Sequence, residues 1–382
     1  MKSNNHKGKI LHLITNLGTG GAEMMLFKIL SGMDREKYGS EVVSLANIGS
    51  VGQKIQNLGI PAYKIGMHIG RPDPLSIWRF IHLVRKLKPR LIQGWMYHGN
   101  LAAQFVNSFL PKPVPVIWNI RHSIHDLAYE KWMTVGVIRL CAKLSRKPAF
   151  ILYNSNVSAD QHEALGYVAD NRLMIPNGFD TDLFTPSEEA KSAIYTELRI
   201  PLSSALIGLI GRYHPMKDHA NFIRAAGHLS KSHEDVHFLL AGKNVDTENK
   251  ELMNLINEQN LSSKVHLLGE RDDVNRLMAS LDIASSSSYF GEGFPNVIGE
   301  AMACGVPCVV TDVGDSGAVV GDTGRVVPPR DPVMMASAWQ NILDLGFQGR
   351  KDLGMKARER VINNFSIKAI VSEYENLYSK FL

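Results

Sequence analysis

Ile10-Leu11-His12-Leu13-Ile14-Thr15 runs straight into Asn16-Leu17-Gly18-Thr19-Gly20-Gly21-Ala22-Glu23. An apolar run of strand length that ends in a glycine-rich turn and passes into a helical pattern over residues 21–30 reads as the opening unit of a parallel α/β sheet. Working outward, short apolar runs at 41–45, 62–65, 91–94, 114–119, 150–153 and 173–175 alternate with helical patterns, among them 75–87 and 129–144. The pattern restarts at 205–211 and continues through 236–241, 265–268, 283–286 and 308–311. Two such series predict an α/β chain with two doubly wound domains. Residues 176–201 between them are rich in turn formers and include a solvated helix-like stretch at 187–199, which places the boundary near residue 185. The expected organisation is a first domain over 1–185, a second over 186–365, and a final helix over 366–382 that packs back on the first. Open sheets of this kind bind ligands beyond the carboxyl ends of their strands, so two facing sheets predict a central cleft.

A chain of 382 residues exceeds what one hydrophobic core usually serves, in keeping with two domains. Apolar residues at 45% and charged residues at 21% mark a globular protein. No stretch of roughly 18 uncharged apolar residues is present, and the opening MKSNNHKGKI lacks a signal-peptide core, so a cytoplasmic protein is expected. Cys141, Cys304 and Cys308 have neither the number nor the companions for a disulfide framework or a zinc site, and read as small core residues. Charge is uneven. Residues 1–185 hold 22 Lys+Arg and 12 Asp+Glu, a balance of +10, while residues 186–382 hold 20 and 25, a balance of −5. The first half is therefore expected to meet something anionic. Nucleic acid is excluded as that partner, since there is no recognition motif and no basic stretch with interleaved exposed aromatics.

Glycines after a first strand let the backbone approach a ligand and aim helix-start N–H groups at an anion, which is the functional reading of Gly20 and Gly21. Their spacing is not the dinucleotide fingerprint. The second domain repeats the device with charge: Leu209-Ile210-Gly211-Arg212-Tyr213-His214-Pro215-Met216-Lys217 puts a guanidinium fork and a mobile ammonium in one loop, a pairing suited to a diphosphate. After the serine run 285–288 comes Gly291-Glu292-Gly293-Phe294-Pro295-Asn296-Val297-Ile298-Gly299-Glu300-Ala301-Met302-Ala303-Cys304-Gly305. Pro295 suits a first helical position and Gly305 an end, with Glu292 in the loop before and Glu300 on the face of Asn296. Two carboxylates at a helix N-terminus can accept from sugar hydroxyls while backbone N–H groups hold phosphate. Asp180-Thr181-Asp182 has the spacing of a metal-binding Asp-x-Asp but lies far in sequence from these loops, and no metal is expected.

Glu292 and Glu300, separated by seven residues inside EGFPNVIGEAMACGVP, together with GRYHPMK, IPNGFDTDLF and the opening GTGGAE, resemble glycosyltransferase family four, a large retaining family of GT-B fold. The resemblance covers nearly the whole chain. It implies two Rossmann-like domains facing a cleft and transfer from a nucleotide sugar, most often a uridine diphosphate sugar, without a metal or other cofactor. Carried over, Arg212 and Lys217 neutralise the donor diphosphate, Glu300 binds the ribose and Glu292 holds a hydroxyl of the transferred sugar. Phe294, Pro295, Asn296 and Val297 contact sugar and phosphates, Gly20 and Gly21 serve the pyrophosphate, and Glu270 with Arg271 touches the base through backbone atoms.

Two departures stand out. Asp315-Ser316 occupies the place of paired glycines in many members. The family's histidine after the strand at 114–119 is matched by Asn119-Ile120-Arg121-His122, so either Arg121 or His122 takes that position, with His122 the catalytic choice and Arg121 and His98 assigned to the acceptor. The family often acts on lipid-linked acceptors in envelope polysaccharide assembly. The basic, aromatic-bearing stretches 75–88 and 131–147 accordingly predict peripheral contact with an anionic membrane on its inner face. A sugar-nucleotide 2-epimerase and a non-catalytic sugar-nucleotide sensor share the architecture and remain the competing expectations.

Overall fold

The computed structural model describes residues 8–68 and 72–382; the opening MKSNNHK thus lies outside the described residues. In chain order the elements run β1 (Gly8–Ile14), α1 (Gly21–Gly32), β2 (Tyr38–Ser44), α2 (Gly49–Asn57), β3 (Ala62–Lys64), α3 (Pro74–Leu87), β4 (Leu91–Trp95), α4 (Met96–Asn107), β5 (Val116–Ile120), α5 (Trp132–Leu144), β6 (Phe150–Tyr153), α6 (Asn156–Ala164) and β7 (Arg172–Met174). They continue with α7 (Glu188–Leu198), β8 (Ala205–Ile210), α8 (His219–Leu229), β9 (Val236–Ala241), α9 (Lys250–Glu258), β10 (Val265–Leu267), α10 (Val274–Ser280), β11 (Ile283–Ser286), α11 (Asn296–Ala303), β12 (Cys308–Thr311), α12 (Ser316–Val320), β13 (Gly324–Val327), α13 (Pro332–Leu343), α14 (Gly346–Phe365) and α15 (Ile367–Tyr378).

All strand pairs are parallel, in a seven-stranded sheet ordered β3-β2-β1-β4-β5-β6-β7 and a six-stranded sheet ordered β10-β9-β8-β11-β12-β13. The chain forms two compact units, Met1–Gly178 with Ile367–Leu382, and Phe179–Ser366. This is the GT-B arrangement of two Rossmann-like units. In each sheet the strand order reverses beside the first strand, β1 or β8, so a ligand-binding crevice is expected at the loops that follow those strands.

Strand β1 shows why the sheet is legible as an apolar run. Ile10 and Ile14 enter one core cluster and Leu11 and Leu13 another, so alternate side chains bury on opposite faces; the buried polar exception, His12, accepts from Trp95 Nε1 at 3.3 Å. Helix α3 begins where the Asp73 carboxylate accepts from the Ser76 N–H and Pro74 takes the first turn; it ends at Lys88, in the left-handed region at φ 51°. Helix α15 lays Ile370, Tyr374 and Tyr378 into the cluster that contains Ile10 and Ile14. Each fully buried side chain of this size contributes about 1.5–3 kcal/mol.

The division at Gly178–Phe179 falls ahead of the boundary expected near residue 185. The reason is that Phe179 and Phe184 are buried in the second unit's core; residues 187–199, expected to be solvated, also bury Ile194 and Tyr195 there, and the Tyr195 hydroxyl donates to Asp282 at 2.7 Å. The sequence reading also lacked β13, whose four residues Gly324-Arg325-Val326-Val327 carry a charge and pair with β12. All three cysteines are buried, and desolvation raises their thiol pKa values, to about 12 for Cys141 and Cys304.

Candidate functional site

In the second unit the loops after β8, β9 and β10 are locked together by backbone contact. Gly211 N–H donates to Ala241 at 2.8 Å, and Gly242 N–H donates to Gly269 at 2.7 Å. Gly242 has φ +147°, and a Cβ there would lie 2.3 Å from the Gly211 carbonyl oxygen, so only glycine permits the crossing. Beyond Gly211 the chain makes a single 3-10 turn, Pro215–Lys217, capped by the His214 ring, whose Nδ1 accepts from Met216 N–H at 3.2 Å. Burial, and then the charges of Arg212 and Lys217, hold the His214 pKa below its ordinary value, which favours the neutral ring needed for that cap.

Lys217 Nζ lies 2.5 Å from Glu292 Oε1, and the Ser288 hydroxyl donates to the same oxygen at 2.7 Å. Glu292 is 9% exposed. Arg212 is exposed and has no ion-pair partner among the described residues. The Ser287 hydroxyl bonds the carbonyls of Lys217 (2.7 Å) and Asp218 (3.0 Å), and the Thr311 hydroxyl bonds that of Ser288 at 2.6 Å. The cation loop and the carboxylate loop are thus braced as one piece. Gly314, at φ +62°, lets the next loop pass so close that a Cβ would sit 2.4 Å from the Glu292 carbonyl oxygen, and Asp315 N–H donates to Gly293 at 2.8 Å. Gly314, just ahead of the Asp315-Ser316 departure, thus makes the close approach.

Helix α11 follows. Pro295 is its N-cap (φ −76°, ψ 104°) rather than its first helical residue, and Gly305 at φ +72° closes it after Cys304. Phe294 and Pro295 are buried, Val297 and Glu300 half-buried and Asn296 exposed. The first N–H groups of such a helix lack intrahelical acceptors and face the loop that holds Glu292. Glu270 is exposed. Arg271 is committed elsewhere: its guanidinium bonds Asp273 at 2.7 and 2.8 Å and Glu197 at 2.6 Å, which leaves only its backbone for a base contact.

In the first unit, Gly20 caps α1 in an extended conformation, and a Cβ on it would meet the Glu23 carboxylate at 2.3 Å. A Cβ on Gly21 would enter open space. Burial raises the Glu23 pKa, offset in part by its own backbone hydrogen bond. His98, half-buried on α4, has its pKa lowered by burial. The alternatives Arg121 and His122 separate. Arg121 Nη1 donates to Asn177 at 2.6 Å and Nη2 to the Tyr374 hydroxyl at 2.9 Å, with the guanidinium 5.8 Å from the Trp95 ring centre. His122 bonds Glu130 through Nε2 at 2.8 Å while its side chain stays partly open. Asp180 Oδ1 accepts from the N–H groups of Asp182 (3.1 Å) and Leu183 (3.0 Å), so the Asp-x-Asp spacing here builds a turn.

Sequence reasoning missed Ser287, Ser288, Thr311 and a stack of the Arg330 guanidinium 3.5 Å over the Tyr289 ring. The available signal was the run 285–288 at the end of a buried strand, where hydroxyls need partners.

Two family models match the chain. One, described as Glycosyltransferase Family 4, spans residues 19–183, and the other, Glycosyl transferases group 1, spans residues 204–344. EpsF of Bacillus subtilis (strain 168), assigned as a glycosyltransferase, is 24% identical over 81% of this chain and 80% of its own. The UDP-Gal:alpha-D-GlcNAc-diphosphoundecaprenol alpha-1,3-galactosyltransferase of Escherichia coli is 23% identical over 67% of this chain and 68% of its own. The fold matches that of Anabaena HepE, solved in complex with UDP, with a TM-score of 0.82 at 23% identity over 97% of this chain and 100% of that one. Fold, motif residues and relatives together define a glycosyltransferase that uses a nucleotide sugar. The chain belongs to glycosyltransferase family four.

Proposed function

We propose that the enzyme is a retaining, metal-independent transferase that moves a sugar from a UDP-sugar to a hydroxyl of a glycan or lipid-linked acceptor in envelope polysaccharide or glycolipid assembly. The observation that carries this reading is the braced ion pair between Lys217 and Glu292 of the loop ahead of α11, with Arg212 open to solvent on the same loop as Lys217. Breaking a sugar–phosphate bond develops charge on the departing diphosphate, and preorganised cations with a helix N-terminus stabilise that charge without a metal. Glu300 receives the ribose and Glu292 a hydroxyl of the transferred sugar. The C1–O bond to phosphate breaks as the acceptor oxygen bonds C1 on the same face, and the leaving phosphate oxygen takes the acceptor proton. The UDP complex of HepE and the diphosphoundecaprenol-linked substrate of the E. coli relative support the choice of donor and acceptor class.

No helix of the described residues is long and apolar enough to cross a membrane. We place the enzyme in the cytoplasm with peripheral contact through the first unit. Trp78 on α3 and Trp132 on α5 are 61% and 81% exposed among basic residues. The test is incubation with labelled UDP-sugars, with and without glycan and lipid-linked acceptors, in chelator. Transfer with the donor's anomeric configuration retained supports the reading. Epimerised donor without transfer indicates the 2-epimerase, and binding without turnover the sensor.

A further inference from the structure

The two cations of the diphosphate loop are not equivalent. Arg212 is open to solvent, whereas the Lys217 ammonium already lies 2.5 Å from Glu292 Oε1, with both side chains largely withdrawn from water at 18% and 10% exposed. The backbone around the pair is fixed. Lys217 N–H donates to His214 at 2.9 Å, Ser287 bonds the carbonyls of Lys217 and Asp218, and Ser288 donates to the same carboxylate oxygen as Lys217. Side-chain rotation, chiefly of the Lys217 stem that runs beside Gly211, would separate the charges.

We infer that Glu292 is an internal counterion that competes with the donor diphosphate for Lys217, and that Ser288 positions it for this exchange. The inference rests on the proposed role of Lys217 at the diphosphate. A sugar nucleotide offers two things at once, phosphate for the ammonium and a sugar hydroxyl for the carboxylate oxygen that the ammonium vacates. The nucleoside diphosphate left after transfer offers only the first. Glu292 then has no donor other than Ser288 and reclaims Lys217, which weakens the hold on the product. One ion pair thus makes the site discriminate between donor and product, because each ligand shifts the exchange only by its differential contacts with the two arrangements.

The prediction runs against simple intuition: neutralising a residue of the donor site tightens product binding. Calorimetric titration at fixed ionic strength uses two probes, UDP and inorganic pyrophosphate, the second free of any base contribution. Glu292→Gln keeps the shape and an oxygen for Ser288, and it should bind both probes about tenfold more tightly, the scale of one hydrogen-bonded charge interaction. Product inhibition by UDP should strengthen in parallel. Lys217→Met should bind both probes at least about tenfold more weakly by the same scale, and in the double variant Glu292→Gln should give no tightening. Ser288→Ala, which disturbs the same carboxylate but keeps its charge, should not tighten UDP binding. If Glu292→Gln binds the probes like the parent or more weakly while Lys217→Met is weakened, the counterion role is wrong and the diphosphate reading stands. If Lys217→Met binds like the parent, the diphosphate reading itself falls. Failure of Glu292→Gln to bind either probe overturns the inference as well, since a released ammonium beside Arg212 must hold a diphosphate.

Discussion

Arg121 Nη2 donates to the hydroxyl of Tyr374 at 2.9 Å, across 253 positions of sequence, and so ties the end of β5 to the returning helix α15. The same hydroxyl accepts from Asn119 Nδ2 at 2.8 Å, and Tyr374 is fully buried. Tyr374→Phe keeps the ring stacked on Trp95 but leaves the buried Asn119 amide and the half-buried Arg121 guanidinium without this acceptor. Each such loss costs about 1–3 kcal/mol, so the urea midpoint should fall clearly. An unchanged midpoint would show that water replaces the hydroxyl and that Arg121 is not a brace.

Arg212 and Lys217 act on the leaving diphosphate in the proposed mechanism. Arg212→Ala and Lys217→Ala should each lower turnover by about 100-fold or more, as removal of one charge-stabilising donor does elsewhere; the unfolding midpoint should change little for Arg212→Ala but fall for Lys217→Ala, which leaves the largely buried Glu292 carboxylate unpaired. Glu300→Ala should weaken nucleotide binding through loss of the ribose contact. Chelator should leave the parent rate unchanged; a rate that recovers only with added magnesium or manganese would reopen Asp180 and Asp182 as ligands.

Much of this was legible because parallel strands buried on both faces are mostly apolar, with Lys9 and His12 in β1 and His237 in β9 as the exceptions, and because a glycine-rich turn marks the end of β1. The stretch from Glu292 to Gly305 announced its helix by Pro295 and Gly305, with the cap displaced by one residue. What stayed hidden is long-range. Nothing in the spacing of Arg121 marks it as the partner of Asn177 and Tyr374, and an exposed-looking Arg271 is indistinguishable from one bound by Glu197 and Asp273. The helix α7 looked solvated because only Ala190, Ile194 and Tyr195 of its face are buried, too few to stand out from a polar stretch.

Three buried histidines give the fold a sensitivity to acid. Desolvation pushes the pKa of His12 down to about 3, and those of His162 and His219 down to about 4. In the unfolded chain each returns to the ordinary value near 6.5, so below that pH the unfolded state binds protons that the folded state refuses. Their contribution is complete above pH 6.5 and is lost as pH falls toward the folded values. Each histidine adds a slope of about 1.4 kcal/mol per pH unit in that window. Melting temperature should therefore drop between pH 6.5 and 5, above the range where most carboxylates titrate. A flat profile there would mean that these rings are charged in the folded protein.

The proposed contact with a membrane rests on the surface of α3 and α5. Leu75 and Trp78 on α3, and Trp132, Met133 and Leu140 on α5, are exposed, and the neighbouring Arg79, Arg85, Lys86, Arg139, Lys143, Arg146 and Lys147 are exposed as well. A helix that only covers a core has no use for an open tryptophan beside a row of cations, whereas an interfacial helix uses both: the indole enters the headgroup region and the cations meet anionic lipid. Each basic residue near such a surface contributes about 1 kcal/mol, and the interaction decays over a Debye length, about 8 Å at physiological salt. The protein should therefore sediment with anionic vesicles and not with neutral ones, and should be released at high salt. Replacing Lys143, Arg146 and Lys147 with Glu should weaken the attachment at low salt, while Trp132→Ala should reduce whatever binding persists as salt rises. Equal partition onto neutral and anionic vesicles at low salt would sink the electrostatic account and point to an acceptor met in solution.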